Sequence, residues 1–455
     1  MKFKGTDTSS KLKSFIENPK ISLWKLSIPM MLGMSVQAIY MLIDTAFIGQ
    51  WVGWQALTGL GVVFPALFII MGITFGLGSG STTVIAQSIG EEDKEKADSF
   101  AEHTVILGIF LSLVFIMLGL LLGEKILSSQ GAQSESLKHA SDYFFTMLIG
   151  TPFMILGIFF RSILSGEGDT LLPMKILGFG TILNIILDPP LIYFYQIKGA
   201  AAATVISQFI VFIIFAYIMV FKNRNYLTLN FKNFKFNKNH LLQIFKIGIP
   251  SALSMLIMSI GLFIYNIILS KTAIPESAIA AYATAHRIEH LFFIPIISIA
   301  TSMITLVGMF YGAKRHDLIH TVLIHCIKYT LMISVLFGAL FYFLSYKIFP
   351  IFINDTDVIN IGISYFNIFS FAIPFVTLSM ICSRTIQGLG KSYPMFIITC
   401  LRVILISCSL GWYFIEIKNM PIEYAWISIL ISCISAAIIS SIWLIFELRK
   451  LKKIS

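Results

Sequence analysis

The sequence predicts an all-α membrane protein of twelve transmembrane helices in two pseudo-symmetric six-helix lobes. Three observations predict it. Hydrophobic residues make up 57% of the 455-residue chain and charged residues 12%, at a mean hydropathy of +0.85, whereas about a quarter of a soluble domain is charged. Apolar runs of about 20 residues, the length that crosses a hydrocarbon core, recur with polar, glycine or proline breaks between them. The second half of the chain also repeats landmarks of the first.

The runs are centred near Gln37, Ile70, Leu111, Phe153, Ile182 and Val211, then Met255, Ile294, Leu331, Phe371, Ile404 and Leu430. The first is apolar from Ile21 after a Lys-rich segment. It is too long for the apolar region of a cleaved signal and lacks a small-residue cleavage site, so it is expected to remain as a span. The second ends at Ala86-Gln87-Ser88-Ile89-Gly90 before a charged turn, and the fourth at Gly166-Glu167-Gly168-Asp169. The fifth contains Asp188 before Pro189 and Pro190, and the sixth follows Gly199. A polar, basic joint comes next. The expected organisation is an N-terminal six-helix lobe over 1–221 carrying a cation site, a cytoplasmic basic linker over 222–240, and a C-terminal six-helix lobe over 241–455.

The repeat is in register. Trp24-Lys25-Leu26-Ser27-Ile28-Pro29 returns as Phe245-Lys246-Ile247-Gly248-Ile249-Pro250, and Gly90 has its counterpart in Gly312. Gly166-Glu167-Gly168-Asp169 with Pro173-Met174 returns as Gly388-Leu389-Gly390-Lys391 with Pro394-Met395. The offsets are 221, 222 and 221. An even number of spans per half keeps both halves in the same orientation, an architecture suited to alternating access. A large bundle built by duplication for stability alone, as in a membrane enzyme or channel, is the competing reading.

Basic residues set the orientation. Lys11, Lys13, Lys20, Lys94, Lys96, Lys222, Arg224, Lys232, Lys235, Lys238, Lys314, Arg315, Lys391, Arg449, Lys450, Lys452 and Lys453 fall on one side, against scattered single lysines such as Lys125, Lys198 and Lys347 on the other. Both termini are therefore expected in the cytoplasm of a multi-pass plasma-membrane protein. The net charge of +10 follows from this topology and from contact with membrane lipid. No aromatic-basic platform is present, so nucleic acid is not expected as a partner. Cys326, Cys382, Cys400, Cys408 and Cys433 lack metal or redox spacing and read as small packing residues.

Two aspartates carry the chemistry. Asp44 and Asp188 lie inside spanning segments, where a carboxylate costs roughly 2.5–3.5 kcal/mol on insertion scales. Asn184 stands four residues before Asp188, on the same helix face. Pro189 and Pro190 are expected to bend the span and free backbone carbonyls. Carboxylate, amide and carbonyl oxygens suit a hard cation, and the same acids can carry a proton instead. Under the repeat, Asp44 corresponds to Tyr265 and Asp188 to Ser409, so the expected ion site belongs to the first half alone. Gln37, seven residues before Asp44, either lines a substrate path or bonds a neighbouring helix. Arg287 and Glu289 in the eighth run either face a cavity, where Glu289 meets a cationic substrate, or pair with polar neighbours. Arg402 in the eleventh either balances charge or snorkels. Glu167 is expected in a local ion pair.

His286-Arg287-Ile288-Glu289-His290 spells the H-x-x-E-H motif of inverted zincin proteases. It lies in a spanning run without an obvious third ligand, so no metal is assigned to it, and no enzyme activity is expected. A membrane zinc metalloprotease is the distant alternative.

The early Ile-Pro, Asp44-Thr45-Ala46-Phe47-Ile48-Gly49, Gly166-Glu167-Gly168-Asp169-Thr170, Asn184-Ile185-Ile186-Leu187-Asp188-Pro189 and Gly199-Ala200-Ala201-Ala202-Ala203-Thr204 resemble the multidrug and toxic compound extrusion (MATE) family, closest to its DNA-damage-inducible branch. The resemblance spans nearly the whole chain. It implies a V-shaped antiporter that exports small organic compounds, cationic or amphipathic, against inward Na+ or H+ flow, working as a monomer and with no cofactor beyond the coupling ion. It also implies a cation site at Asp44, Asn184, Asp188 and Thr204. The segment before Gly199 is shorter than the family pattern by about two residues, and the seventh run lacks the acid that another bacterial branch uses for coupling. A lipid-linked sugar flippase of the same superfamily is the nearer alternative; such a protein carries a cationic cavity, and this chain offers Asp44, Asp188 and Glu289.

Overall fold

The computed structural model describes residues 8–128, 134–222 and 226–452; Arg224 and Lys453 of the basic set lie outside them. Among the described residues the fold is helical, without strands. Helix α1 (Thr8–Glu17) precedes α2 (Pro19–Trp51), α3 (Trp54–Gly90), α4 (Lys94–Ser128), α5 (Ser134–Gly166) and α6 (Leu171–Ala216). After the linker come α7 (Lys238–Leu269), α8 (Pro275–Gly312), α9 (His316–Ile348) and α10 (Thr356–Gly388). The eleventh span runs from α11 (Tyr393–Cys400) through a π-helical stretch, Leu401–Cys408, into α12 (Ser409–Trp412) and a second π-helical turn, Tyr413–Ile417. Helix α13 (Glu423–Lys452) follows.

Among the described residues eleven helical segments are long and apolar enough to cross a membrane, and one of them, Leu171–Phe221, is 51 residues long. At 1.5 Å per residue that is about 75 Å, more than twice a hydrocarbon core. The segment reverses at Gln196, whose φ of 53° and ψ of −130° leave the helical region. It is therefore two spans, which makes twelve. Helical dihedrals continue through Pro189 and Pro190, and the prolines free backbone carbonyls as expected. Their rings fit helical φ, but their nitrogens carry no hydrogen for the Ile185 and Ile186 carbonyls one turn earlier.

Gly199 makes the reversal possible. A Cβ at this position would collide with the backbone of Leu191 and Ile192, so only glycine lets the two arms of α6 lie side by side.

Backbone specials carry the repeat independently of side-chain identity. Glu92 and Lys314, both at φ 57°, are 222 residues apart, as are Gly168 (φ 80°) and Gly390 (φ 84°); Gln196 (φ 53°) and Asn419 (φ 49°) are 223 apart. Pro29 inside α2 and Pro250 inside α7 match at 221, and Pro152 in α5 matches Pro374 in α10 at 222.

The chain forms two compact units. The first holds α1 and Ile28–Ala252; the second holds Asn18–Ser27 and the chain from Leu253 onward. In the first, Ile48, Leu60, Val63, Tyr143, Met147, Ile192, Ile197 and Ala200 share a core drawn from α2, α3, α5 and α6. Between membrane helices lipid competes equally for apolar side chains, so close packing and hydrogen bonds decide association. Gly76 and Gly80 of α3 accordingly face Ala252 and Gly248 of α7 at distances that leave no room for a Cβ, and Ser79 bonds Ser251 at 3.0 Å. In the second unit, Tyr265, Tyr282, Phe341, Phe366 and Trp426 centre a core from α7, α8, α9, α10 and α13.

Helix α1 was not legible as an element. Its Leu12 and Phe15 are buried, and Lys11 pairs with Glu167 at 3.4 Å and Asp169 at 3.6 Å. Glu167 also accepts the Tyr226 N–H of the linker at 3.1 Å. Burial holds the Glu167 carboxyl above its ordinary range, with Lys11 and the Tyr226 amide pulling it part of the way back. A folded value above the unfolded one means that the group's contribution is fully present below the ordinary carboxylate range and is lost as pH rises through the folded value. Lys11→Ala removes the charge that opposes burial and is expected to cost about 1–3 kcal/mol. Thermal unfolding on either side of that titration checks the sign: the deficit should be larger at the higher pH, where Glu167 is ionised.

Candidate functional site

The acids meet in the first unit. Asp44 lies on α2 beyond Pro29, at 9% exposure, with Oδ1 buried and unpaired. Asp188, on the first arm of α6, is fully buried, and Asn184 one turn before it donates Nδ2–H to Asp188 Oδ1 at 3.3 Å. Asp188 Oδ2 and Asn184 Oδ1 are left without a hydrogen-bond partner among the described residues. The two aspartates are near enough to act on each other electrostatically.

Thr204, on the second arm, joins through a tyrosine. Its Oγ1 donates to the Ala200 carbonyl at 3.2 Å and lies 3.2 Å from the Tyr40 hydroxyl. With the threonine proton committed to a carbonyl, Tyr40 is the donor to Thr204. Tyr40 stands one turn before Asp44 on α2, so α2 supplies both a carboxylate and the tie to the far arm of α6. Both Tyr40 and the buried Tyr143 of α5 lie in the field of Asp44 and Asp188. Neither tyrosine was singled out from the sequence. Tyr40 carried a usable signal, its i−4 spacing from Asp44; Tyr143 carried none, because an aromatic inside an apolar helix is ordinarily core.

Two carboxylates, an amide oxygen and a hydroxyl are hard oxygen donors, and among the described residues no cationic side chain pairs with either aspartate. Buried unpaired oxygens are costly and call for a partner. The set fits a small monovalent cation or a proton. The repeat makes a control: Tyr265, Asp44's counterpart, spends its hydroxyl on the Ala425 carbonyl and on Ser428, a closed structural bond where the first half keeps an unpaired carboxylate oxygen.

The remaining candidates sit elsewhere. Gln37 is exposed on α2. On α8, Glu289 is buried while Arg287 is exposed, since residues two apart point to different sides of a helix. Glu289 Oε2 lies 3.3 Å from His286 Nδ1, and Tyr282 packs edge-on against the His286 ring at 4.6 Å. Among the described residues no group of three or more His, Cys, Asp or Glu side chains is placed to hold a metal, so the H-x-x-E-H helix gains no third ligand there. Arg161 lies over the Phe75 ring at 5.1 Å, and its counterpart Arg384 donates to Gln387 at 2.9 Å.

Comparison with known proteins agrees with this architecture. The MatE family model matches the chain twice, over residues 29–189 and 250–413, starting at Pro29 and at its repeat partner Pro250. The probable multidrug resistance protein NorM of Thermotoga maritima is 25% identical over 426 residues, covering 91% of this chain and 90% of that protein. The multidrug export protein MepA of Staphylococcus aureus is 29% identical over 65% of each chain. A solved structure described as the outward-facing conformation of a multidrug resistance MATE family transporter of the MOP superfamily superposes with a TM-score of 0.91 at 30% identity, covering 96% of this chain and 97% of that one.

Proposed function

We propose that this chain, which belongs to the MATE family of membrane transporters, is a secondary active antiporter that exports small organic compounds in exchange for Na+ or H+ by alternating access. The coupling ion binds at Asp44, Asn184, Asp188 and Thr204, with Tyr40 holding Thr204 in place. The observation that carries this reading is the meeting, inside one unit, of two buried aspartates and an asparagine, each with an unpaired oxygen. An ion that binds one conformation better than the other shifts their populations, and a site made from α2 and both arms of α6 changes shape whenever those arms move. The chain fits the DNA-damage-inducible branch of the family by the placement of its acids in the first half. It works as a monomer in the plasma membrane with both termini cytoplasmic. Glu289, buried and with one oxygen unpaired among the described residues, offers the second unit a contact for cationic substrates, with Arg287 as a further candidate on the same helix; Gln37, exposed on α2, is a candidate contact of the first unit.

The test is accumulation of a fluorescent organic cation in everted membrane vesicles under an imposed Na+ or pH gradient. One gradient is expected to drive uptake and thereby names the ion. Asp44→Asn, which keeps the shape and removes the charge, is expected to lose gradient-driven uptake while still binding the compound. Uptake at the wild-type rate in that variant would remove the aspartate site from the mechanism, and absence of transport under both gradients would favour the lipid-linked flippase.

A further inference from the structure

A second polar cluster lies outside the acid site, around His103 of α4. This imidazole is 2% exposed, and both ring nitrogens are committed. Nδ1 lies 2.7 Å from the Ser99 carbonyl one turn earlier; a carbonyl only accepts, so Nδ1 carries the hydrogen. Nε2 lies 2.8 Å from the backbone N–H of Asn237; an amide N–H only donates, so Nε2 presents its lone pair. The two contacts together select the neutral Nδ1–H tautomer.

Asn237 is the residue on which α7 starts. Its carbonyl accepts the N–H groups of His240 and Leu241 at 3.1 and 3.3 Å, and its Oδ1 accepts that of Asn239 at 2.9 Å. The linker before it runs along α4 on acidic hooks: the Thr228 N–H on Asp98 at 2.9 Å and the Asn230 N–H on Glu102 at 2.8 Å. Phe234 and Phe236 pack against the imidazole at centroid distances of 4.9 and 5.8 Å. The linker is therefore fastened to α4 by three acceptors at successive points, two carboxylates and one imidazole. The imidazole differs from the carboxylates in that a single proton on Nε2 removes the acceptor that Asn237 uses.

We infer that His103 is a proton-operated latch on the linker: neutral, it holds the start of α7 against α4; protonated, it turns an N–H toward the Asn237 N–H and releases it. The charged groups around it are Glu102 on its own helix and His240 of α7, which is itself flanked by Lys96 and Asp93. Ser99 Oγ bonds His240 Nδ1 at 2.8 Å, so the two imidazoles share one serine. Protonation of His103 thus loosens the attachment of the seventh span at a place apart from Asp44 and Asp188.

Hydrogen–deuterium exchange of the full-length protein in lipid nanodiscs tests this, read at the amides of 237–241 and corrected for intrinsic exchange. Between about pH 8 and about pH 5.5 the wild type is expected to lose protection about five- to tenfold, the change that one hydrogen bond carries. His103→Gln, whose amide oxygen accepts the same N–H and does not titrate, is expected to stay protected at both. Undiminished wild-type protection at the lower pH would overturn the latch whatever the variant does, as would equal loss in both proteins. If the glutamine variant does not fold, His240→Gln replaces it: an unchanged pH dependence assigns the titration to His103, and an abolished one assigns it to His240 and overturns the proposal.

Discussion

Asp188→Asn is expected to reduce gradient-driven export of an organic cation by about 5- to 150-fold, the range that a coupling free energy of about 1–3 kcal/mol spans. The substitution keeps the size and the acceptor that Asn184 Nδ2 uses at 3.3 Å, so the helix loses little packing. It removes the charge of a fully buried carboxylate whose second oxygen is unpaired. The coupling ion then lacks its main source of differential affinity, and a ligand that binds both conformations equally shifts neither. Binding of the transported compound without a gradient should remain, which separates lost coupling from lost folding. Tyr40→Phe is the graded companion: it frees Thr204 from the 3.2 Å bond while leaving both aspartates, and should raise the ion concentration needed for half-maximal transport by a few fold, about the value of one hydrogen bond. Wild-type transport in Asp188→Asn would refute the ion site, and an unchanged ion dependence in Tyr40→Phe would remove the tyrosine from it.

Gly199→Ala is expected to destabilise the protein by about 3 kcal/mol, the upper part of the range for overpacking a close contact. The obstacle is backbone, not a side chain that can swing aside: a Cβ would meet the Leu191 carbonyl and the Ile192 nitrogen. Relief requires the two arms of α6 to separate. Those arms carry Asp188 and Thr204, so ion dependence should change together with thermal stability, which makes this substitution different from a cavity made elsewhere in the core. A melting temperature equal to that of the wild type would show that the reversal at Gln196 is looser than its dihedrals imply.

Much of the fold was readable before any coordinates. Apolar runs of spanning length announced all twelve spans, because a chain in lipid must satisfy its backbone within each segment and so writes each crossing as a continuous apolar stretch. The division of Leu171–Phe221 was readable through Gly199 and the change of composition around it, and so were the carbonyls that Pro189 and Pro190 leave unpaired, since proline satisfies helical φ and removes only a donor. Helix α1 has no local signature: its ten amphipathic residues read as a polar leader, and what fixes them is Lys11 meeting Glu167, 156 positions away.

The site divides in the same way. Asp44, Asp188 and Asn184 were visible one by one, since charge inside a membrane span is expensive and the i, i+4 spacing of Asn184 and Asp188 is a property of any helix. That Arg287 and Glu289 point to different sides of α8 was also implicit in their spacing. The sequence by itself determined the medium, the number of crossings, the duplication and the identity of the acids, because each of these is written in local composition or in a fixed offset. Only the tertiary structure decided that Tyr40 holds Thr204, that Tyr143 shares the field of both aspartates, that Tyr265 closes the equivalent place in the second half, and that His103 holds the start of α7. Each of these depends on which oxygen, nitrogen or ring is brought within about 3–5 Å by helices far apart in the chain, and no local pattern encodes that meeting.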